Sequence, residues 1–434
     1  MNKFLNFSII SADNDDVILY ILFKRIEGIL MKKNKFILLF MLLFSTTLFA
    51  NVNFSGFAGG SIGFAGKTNS DEPFGLPFNS FAALQLNMDS WGIFRANFEL
   101  SSKDITNGNI FVGQDAILKM NELSLVLTKN SDKVSNYFGF YFGTYEVVGQ
   151  DEFLQRQFGI DPFTSLITKN RTTLATGIPL FENQGIGFAY TANFNSTPGT
   201  FGINAYFNMA EDDTNQLNID LRTAWALQYV TFDLVLGVGA PLQNKYGAED
   251  VILLIDTLYL HGGITLLLGN VHTHSLFLQA GVQNIKISKG DFEKEFDSVK
   301  DFSLIVEPRI YAKNFRTSLS FYSLPTTTIN QMMYLKDSLG VAFSFSTDAF
   351  NTKKSNINLG VHLIGSATDK SFIDIFTDDF TSTVSDNINL YVTPFITFPL
   401  ANGDFEVHGQ IGLSNIKNDV SVNYEIIAGY KKTF

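Results

Sequence analysis

Alternation of apolar and polar residues along the chain is the feature that most constrains its fold. In the segment FRANFEL, residues 94–100, every second residue is apolar, and Arg, Asn and Glu stand between them. Largely the same pattern occurs in LNIDLRTAWAL (217–227), TFDLVLGVG (231–239) and FEVHGQIGLS (405–414). Because successive side chains of a β-strand point to opposite faces, each segment predicts a strand with one apolar face and one polar face.

About 18 segments of this kind follow residue 50. They lie near 52–65, 78–89, 91–101, 116–128, 135–146, 185–195, 200–209, 217–227, 230–240, 253–268, 274–286, 301–312, 315–324, 337–347, 356–367, 387–399, 403–415 and 420–434. The segment at 116–128 alternates poorly, because Lys119 and Glu122 fall on opposite parities. We therefore expect about 16–18 strands.

The connections between these segments are alternately long and short. The long ones include GKTNSDEPFGLP, a stretch of over 30 residues after the fifth segment, AEDDTNQ and SATDKSFIDIFTDDFTSTVSD; the short ones include DS, QY, KN and ANGD, in which Asn402-Gly403 predicts a tight hairpin turn. Long loops at one end and short turns at the other predict an all-β fold, a transmembrane antiparallel up-and-down β-barrel. A secreted β-sandwich or β-solenoid would also alternate, but neither requires connections of alternating length.

Composition narrows the class of protein further. Hydrophobic residues make up 45% of the 434 residues, 44 residues are phenylalanine, and only 17% are charged, which suits a barrel with an apolar exterior. Cysteine is absent, so disulfides and thiolate metal sites are excluded. Six of the 31 basic and four of the 42 acidic residues lie in residues 1–50, which leaves 25 bases and 38 acids, a net charge of −13, in the remainder. An acidic chain argues against nucleic acid as a partner.

The first 50 residues have a different character. MKKNKFILLFMLLFSTTLFA, residues 31–50, combines basic residues, a nine-residue apolar core and a small residue at its end, Ala50. This is the anatomy of a secretory signal peptide. We interpret residues 1–30 as an upstream extension from a misassigned start; the alternative is a membrane helix in VILYILFKRIEGIL, which three charged residues interrupt. The expected barrel therefore occupies residues 51–434, with no plug domain before its first strand.

The chain ends in the alternating segment NYEIIAGYKKTF, residues 423–434, with an aromatic residue at its last position. This ending resembles the C-terminal signature of outer-membrane β-barrel proteins of diderm bacteria, although Lys432 stands where that signature has an apolar residue. The resemblance implies insertion into the outer membrane, contact with its lipid, and recognition by the barrel-assembly machinery through the strand that ends at Phe434. The length, the lack of a plug and the loop pattern of residues 51–434 resemble porins, which implies a channel for small hydrophilic solutes and leaves a homo-oligomer open.

Charged residues on the polar parity of the strands are candidates to line the pore, because a charge that faces lipid at mid-depth costs roughly 2–4 kcal/mol. These candidates are Arg95, Glu99, Asp220, Arg222, Asp233, Glu307, Arg309, Arg316, Glu406 and Glu425. A barrel of about 18 strands is wide enough for water. A salt-bridged, plugged interior is the alternative interpretation of the same residues.

The longest connection, residues 149–182, follows the fifth strand. General porins fold a loop at this position into the lumen, so the resemblance implies a constriction here. The segment DEFLQRQF is predicted to form two helical turns with its acids near the N-terminal end. The candidates for the constriction are Asp151, Glu152, Arg156, Asp161, Lys169 and Arg171. The acids of this loop are expected to face lumen arginines across the bore; a surface-exposed insertion is the alternative.

No catalytic residue, metal ligand or cofactor is predicted, and three hypotheses for the function stand. The first is a porin that works by passive diffusion, with lumen charges that bias selectivity. The second is a structural or adhesive outer-membrane barrel with binding loops at the cell surface. The third is a barrel-embedded hydrolase, for which His408 shares a strand face with Glu406. The motif GGSIG around Ser61 fits a nucleophile elbow, but it lies inside a predicted strand with no helix after it.

Overall fold

The structure is a computed structural model, and all its described residues follow residue 51. It describes residues 52–67, 75–88, 91–102, 116–181, 183–208, 215–242, 245–246, 249–250, 257–288, 302–312, 314–352, 355–368, 370–372, 388–414 and 420–434. The upstream extension and the signal peptide, residues 1–50, lie outside this part of the chain and stay predictions.

Eighteen strands form one antiparallel sheet. They are β1 (Val52–Lys67), β2 (Phe78–Met88), β3 (Gly92–Ser102), β4 (Ala116–Asn130), β5 (Val134–Thr144), β6 (Gln184–Phe194), β7 (Gly199–Asn208), β8 (Gln216–Ala226), β9 (Val230–Pro241), β10 (Thr257–Gly269), β11 (His274–Ser288), β12 (Phe302–Ala312), β13 (Phe315–Ser323), β14 (Leu339–Thr352), β15 (Ser355–Ala367), β16 (Ile388–Leu400), β17 (Gly403–Ser414) and β18 (Ser421–Thr433). A separate ladder pairs Lys245–Tyr246 with Glu249–Asp250 between β9 and β10.

The sheet closes into a barrel. Each strand pairs with the next along the chain, and β1 pairs with β18 from Phe57↔Thr433 to Lys67↔Asn423. Beyond that ladder, Gly56 and Phe434 exchange two backbone hydrogen bonds of 2.8 and 2.9 Å. Closure satisfies the backbone groups that would otherwise form an edge in lipid. The predicted transmembrane up-and-down barrel is confirmed, with 18 strands.

The poor alternation of β4 has a structural cause. Asn97 of β3 pairs with Glu122, whereas its neighbour Phe98 pairs with Met120, so Asn121 is the extra residue of a β-bulge. A bulge reverses the parity of the residues that follow it. Both charged residues that conflicted in sequence can therefore lie on the lumen side of one strand.

The barrel has an apolar exterior and a polar interior. Side chains of the outward parity such as Phe188, Leu236 and Ile411 are 67%, 60% and 57% exposed, whereas the inward Gln279 and Thr393 are fully buried. This inversion of the soluble pattern is the one that a bilayer requires, and the architecture is that of an outer-membrane β-barrel.

Within the described residues, two short α-helices lie between strands, α1 (Asp151–Phe158) and α2 (Thr326–Ile329). In the part of the chain that the structure describes, no helix is long and apolar enough to cross a membrane.

The turn between β16 and β17 lies one residue before its predicted position. Leu400 pairs with Gly403, so the two-residue loop consists of Ala401 and Asn402. Both have positive φ, 50° and 62°, as a type I′ hairpin turn requires. The Asn-Gly pair thus predicted the hairpin correctly, but its glycine is the first residue of β17.

We expect removal of Phe434 to impair insertion of the barrel. Its ring stacks on Phe54 with centroids 5.4 Å apart, and deletion also removes both backbone bonds to Gly56 at the β1–β18 seam. The measurement is the folded fraction in outer membranes, scored by heat-modifiable gel mobility, with Phe398→Ala as an aromatic control at another seam. Equal folded fractions for the deletion and the wild type would contradict the prediction.

Candidate functional site: the barrel lumen

The connection between β5 and β6, residues 145–183, lies inside the barrel. We call it the inner loop. The predicted strand 135–146 ends two residues early, at Thr144, and the chain then turns inward. The loop contains α1, which matches the predicted helical turns, and a 3₁₀ turn at Leu166–Thr168. Asp151 and Glu152 lie at the positive end of the α1 dipole, and Gly159 ends the helix with φ 62°.

Glu146 is the charged centre of the inner loop. Its carboxylate lies 3.1 Å from Arg95 and 3.4 Å from Arg156, and its carbonyl oxygen accepts a 2.6 Å bond from Arg222. Burial alone raises the pKa of the Glu146 carboxyl, but Arg156, Arg95 and Arg222 outweigh burial and lower it overall. The residue also has positive φ, 48°. Glu146 therefore connects the start of the loop to β3 and β8.

Backbone groups and small wall residues hold the rest of the loop. Gln279 donates to the carbonyl oxygen of Gly149 and Gln283 donates to that of Leu180, both at 2.7 Å. The Leu180 side chain lies over Gly281, where an added Cβ would come within 2.9 Å of it. Because Gly281 faces the lumen and has no side chain, it leaves the space in which the loop packs against the wall.

Asp151 forms its hydrogen bonds with other residues of the inner loop. It is 4% exposed, and its carboxylate accepts bonds from the backbone N–H of Phe163 and Thr164 and from the hydroxyls of Thr164 and Thr176. Asp161 lies at the short-turn end, 3.2 Å from the exposed His272. Neither acid pairs directly with a wall arginine, but both line one cavity together with Glu152, Arg309 and Arg316.

The wall arginines have other partners. Arg222 forms two bonds with Asp233, at 2.9 and 2.6 Å, and its guanidinium lies 3.5 Å from the ring centroid of Phe153. Arg309 lies 2.6 Å from Glu307. Ser165 of the inner loop also donates to Glu307, and Phe163 accepts from Arg309 through its carbonyl oxygen. These contacts attach the loop to β8 and β12.

A second connection, residues 324–338 between β13 and β14, also lies in the lumen. We call it the second inner loop. It is joined to the first by a bridge between Asn170 and Met332 and by a 2.8 Å bond from Met333 N–H to Lys169 O. Tyr334 and Lys169 both donate to Glu406. The predicted wall acid Glu406 therefore binds both inner loops.

Glu425 on β18 also forms ion pairs with both inner loops. Arg171 of the inner loop lies 2.9 Å from its carboxylate, and Lys336 of the second inner loop lies 2.8 Å from it. Burial and the nearby Arg171 lower the pKa of the Lys336 ammonium, and Glu425 offsets this only in part. A single wall carboxylate thus holds two cations from two loops.

The remaining pore-lining candidates occupy different parts of the wall. Asp220 is buried and lies 2.7 Å from His261, and Glu99 accepts a 3.2 Å bond from Asn121. Arg316 is exposed, with its guanidinium 5.8 Å from the ring centroid of Tyr311. All ten candidates lie on strands, and most of them are buried beneath the inner loops rather than exposed to an open bore.

Among the cavities in the described part of the lumen, two are lined by charged residues of both the wall and the inner loop. One, of about 740 Å³, lies toward the short turns and is lined by residues including Glu152, Arg316 and Lys431. The other, of about 330 Å³, lies toward the long loops and is lined by residues including Arg171 and Glu425. The inner loop contributes to both, so it separates them.

Several lumen residues were not predicted. They are Glu122, Glu146, His261, Lys336, Asp337 and His362. Glu122 follows a bulge, which shifts the parity of its strand, whereas His261 shares the regular inward parity of Thr265 on β10, and Glu146 stood at the end of a predicted strand. The exceptional length of the loop after β5 was the sequence signal for a loop in the lumen, and the loop after β13 has no such signal.

Ser61, His408 and Glu406 do not lie together in a catalytic arrangement. Ser61 lies within β1 and donates a long bond of 3.4 Å to Arg171 O. His408 lies 3.8 Å from Glu406, whose carboxylate already binds Tyr334 and Lys169. Among the described residues, no group of three or more His, Cys, Asp or Glu is placed to hold a metal ion.

No family model matches the chain, and no curated protein matches it. Solved structures with some similarity include the outer membrane protein OpdK from Pseudomonas aeruginosa, at 8% identity and a TM-score of 0.48, covering 88% of this chain and 99% of that one. A BenF-like porin from Pseudomonas fluorescens Pf-5 has 9% identity, a TM-score of 0.49 and the same coverage. OprB of Pseudomonas putida has 10% identity and a TM-score of 0.45, covering 88% and 94%. At these values we draw no argument from them, and the barrel described above stands on its own strand pairings.

Proposed function

We propose that this protein is an outer-membrane porin, a passive diffusion channel for small hydrophilic solutes. The observation that carries the proposal is a pair of cavities with charged lining residues, about 740 and 330 Å³, inside a closed barrel with an apolar exterior. Polar side chains that line a space within a membrane-spanning barrel replace part of the hydration shell of a solute. The adhesive barrel requires no such internal space.

In this proposal the inner loop sets the size limit. Its contacts with Glu307, Glu406 and Glu425 fix it against the wall from β12 to β18. The ten wall candidates then act in two ways. Buried pairs such as Arg222 and Asp233 hold the loops, while the exposed Arg316 contacts solutes. Bilayer lipid surrounds the barrel, and assembly into a homo-oligomer is compatible with it.

Planar bilayer recording of the purified, folded protein tests this function. A porin gives discrete, stable conductance steps, and proteoliposomes that contain it swell in small sugars but not in large ones. A structural or adhesive barrel gives neither. Folded protein that shows no steps and no swelling across a series of solutes, both intact and with the inner loop excised, rules out the porin.

We expect a mild cation preference. The chain after residue 50 carries a net charge of −13, which raises the local concentration of cations near the mouths of the pore. Most buried wall arginines are matched by carboxylates, as in the Arg222–Asp233 and Arg309–Glu307 pairs. The reversal potential in a KCl gradient is the measurement. A clear anion preference would mean that Arg171, Lys336 and the other lumen cations dominate.

A further inference from the structure

We propose that three residues, Leu174 of the inner loop and Ile427 and Gly429 of β18, form an apolar gate between the cavities of about 740 and 330 Å³. We call these residues the gate. The inference rests on the proposed function and names the point at which passage of solutes is controlled.

The order of side chains along β18 shows where the gate lies. Glu425 lines the smaller cavity and Lys431 lines the larger one. Ile427 and Gly429, which share their parity, stand between them, and Ile427 is 2% exposed within the same apolar cluster as Leu174. The wall is therefore polar, then apolar, then polar within seven residues. The two cavities have no lining residue in common.

The inner loop presents the same order from the other side. Arg171 lines the smaller cavity, and Leu174, Ala175 and Thr176 line the larger one. Leu174 is 8% exposed. A Cβ added at Gly429 would come within 3.1 Å of Leu174 Cδ1. The absence of a side chain at Gly429 is thus what admits the leucine, and the pair closes the space between loop and wall.

The turn that carries Leu174 is tightly built. Asn170 Oδ1 accepts from the backbone N–H groups of Thr172 and Thr173 at 2.9 and 3.0 Å, and Asn170 N–H donates to Ala175 O at 2.8 Å. Leu174 itself has φ 54°. For a leucine this left-handed conformation costs roughly 1–2 kcal/mol, which a glycine or asparagine would avoid. Strain of this kind tends to be retained where a particular side chain has a task.

An apolar constriction of this kind opposes passage in a specific way. A narrow apolar constriction loses its water easily, a process called dewetting. Hydrated solutes then cannot cross it, so the constriction can stop conduction even where side chains do not block it completely. Arg171 is held by Glu425 immediately beside it. The gate therefore consists of a small apolar contact on a turn that the Asn170 hydrogen bonds and the Arg171–Glu425 ion pair position.

The test is single-channel recording of four variants with correct folding checked by heat-modifiable mobility. Leu174→Gly removes the side chain and suits the positive φ, and we expect conductance to rise about twofold or more. Leu174→Asn keeps a side chain of similar size, and asparagine tolerates the positive φ. Its polar amide lets water into the constriction, so we expect conductance to rise as well. Gly429→Val should lower conductance by at least a similar factor. Gly409→Val is the control for the same change on the lipid-facing side of the neighbouring strand β17, where an added Cβ meets nothing within 4 Å.

The double variant, Gly429→Val with Leu174→Gly, separates a gate from a general structural defect. If the two side chains compete for one space, the second substitution restores conductance toward the wild-type value. A silent wild type with conducting Leu174→Gly would support a closed gate. Conducting wild type with unchanged Leu174 and Gly429 variants would overturn the gate alone, and silence of both wild type and Leu174→Gly would overturn the gate, together with the porin if the protein with the inner loop excised is also silent.

Discussion

Excision of residues 151–176 is expected to raise the unit conductance severalfold and to let larger sugars pass. Gln150 and Gly177 are partners in an antiparallel bridge, so a short Gly-Ser linker can join them without moving the ends of the loop. The excision removes α1 and the turn at Leu174. It also removes the contacts of Ser165, Lys169 and Arg171 with the wall acids. Water then fills the space, because the wall side chains beneath the loop are polar.

The comparison for this experiment is a Gly-Ser replacement of residues 210–214, an acidic connection between β7 and β8. It shortens a loop at the same end of the barrel and should leave the unit conductance and the sugar limit as they are. Intact cells provide a second readout, since a protease that cannot enter the lumen should not cut within 151–176. Unchanged conductance after excision, or cleavage there on intact cells, would show that the loop does not obstruct the bore.

The barrel itself could be predicted from the sequence because lipid imposes one simple rule. Outward side chains must be apolar through the whole bilayer, so the period of two persists along nearly every strand. The segments predicted near 200–209 and 315–324 differ from β7 and β13 by at most one residue at either end. Errors fell where this rule is interrupted, as at the bulge after Met120, which the alternation of β4 could only show as a conflict.

The partners of the lumen charges could not be predicted in the same way. Parity shows that Arg95 and Arg222 point inward, but it does not show which loop atom each one meets. Their common partner, Glu146, stands outside any strand and contacts β3 and β8 only because the inner loop returns across the bore. Such contacts depend on the path of the loop, and no local pattern encodes that path. The second inner loop was missed for the same reason.

Glu146→Gln is expected to destabilise the barrel and release the start of the inner loop. The substitution keeps the shape of the side chain but removes the charge that Arg95 and Arg156 share. Arg95 is then left with Glu122 at 3.9 Å, and breaking one partner out of a buried ion pair typically costs about 3–5 kcal/mol. We expect a lower unfolding temperature by heat-modifiable mobility, and noisier single-channel currents. Glu152→Gln is the matched control, because it makes the same charge change on the same loop.

The pH dependence of this difference tests the cause. The three surrounding guanidinium groups hold the pKa of Glu146 below its ordinary value in the folded barrel, and the unfolded chain has the ordinary value of about 4.3. The stabilisation is therefore complete above that pH and is lost as the pH falls through the lower, folded value. The wild type should exceed Glu146→Gln in unfolding temperature by a constant margin from about pH 7 to pH 5, and the margin should shrink below about pH 4. A margin that stays constant into acid would show that the carboxylate charge does not hold the loop, and that the glutamine acts through packing instead.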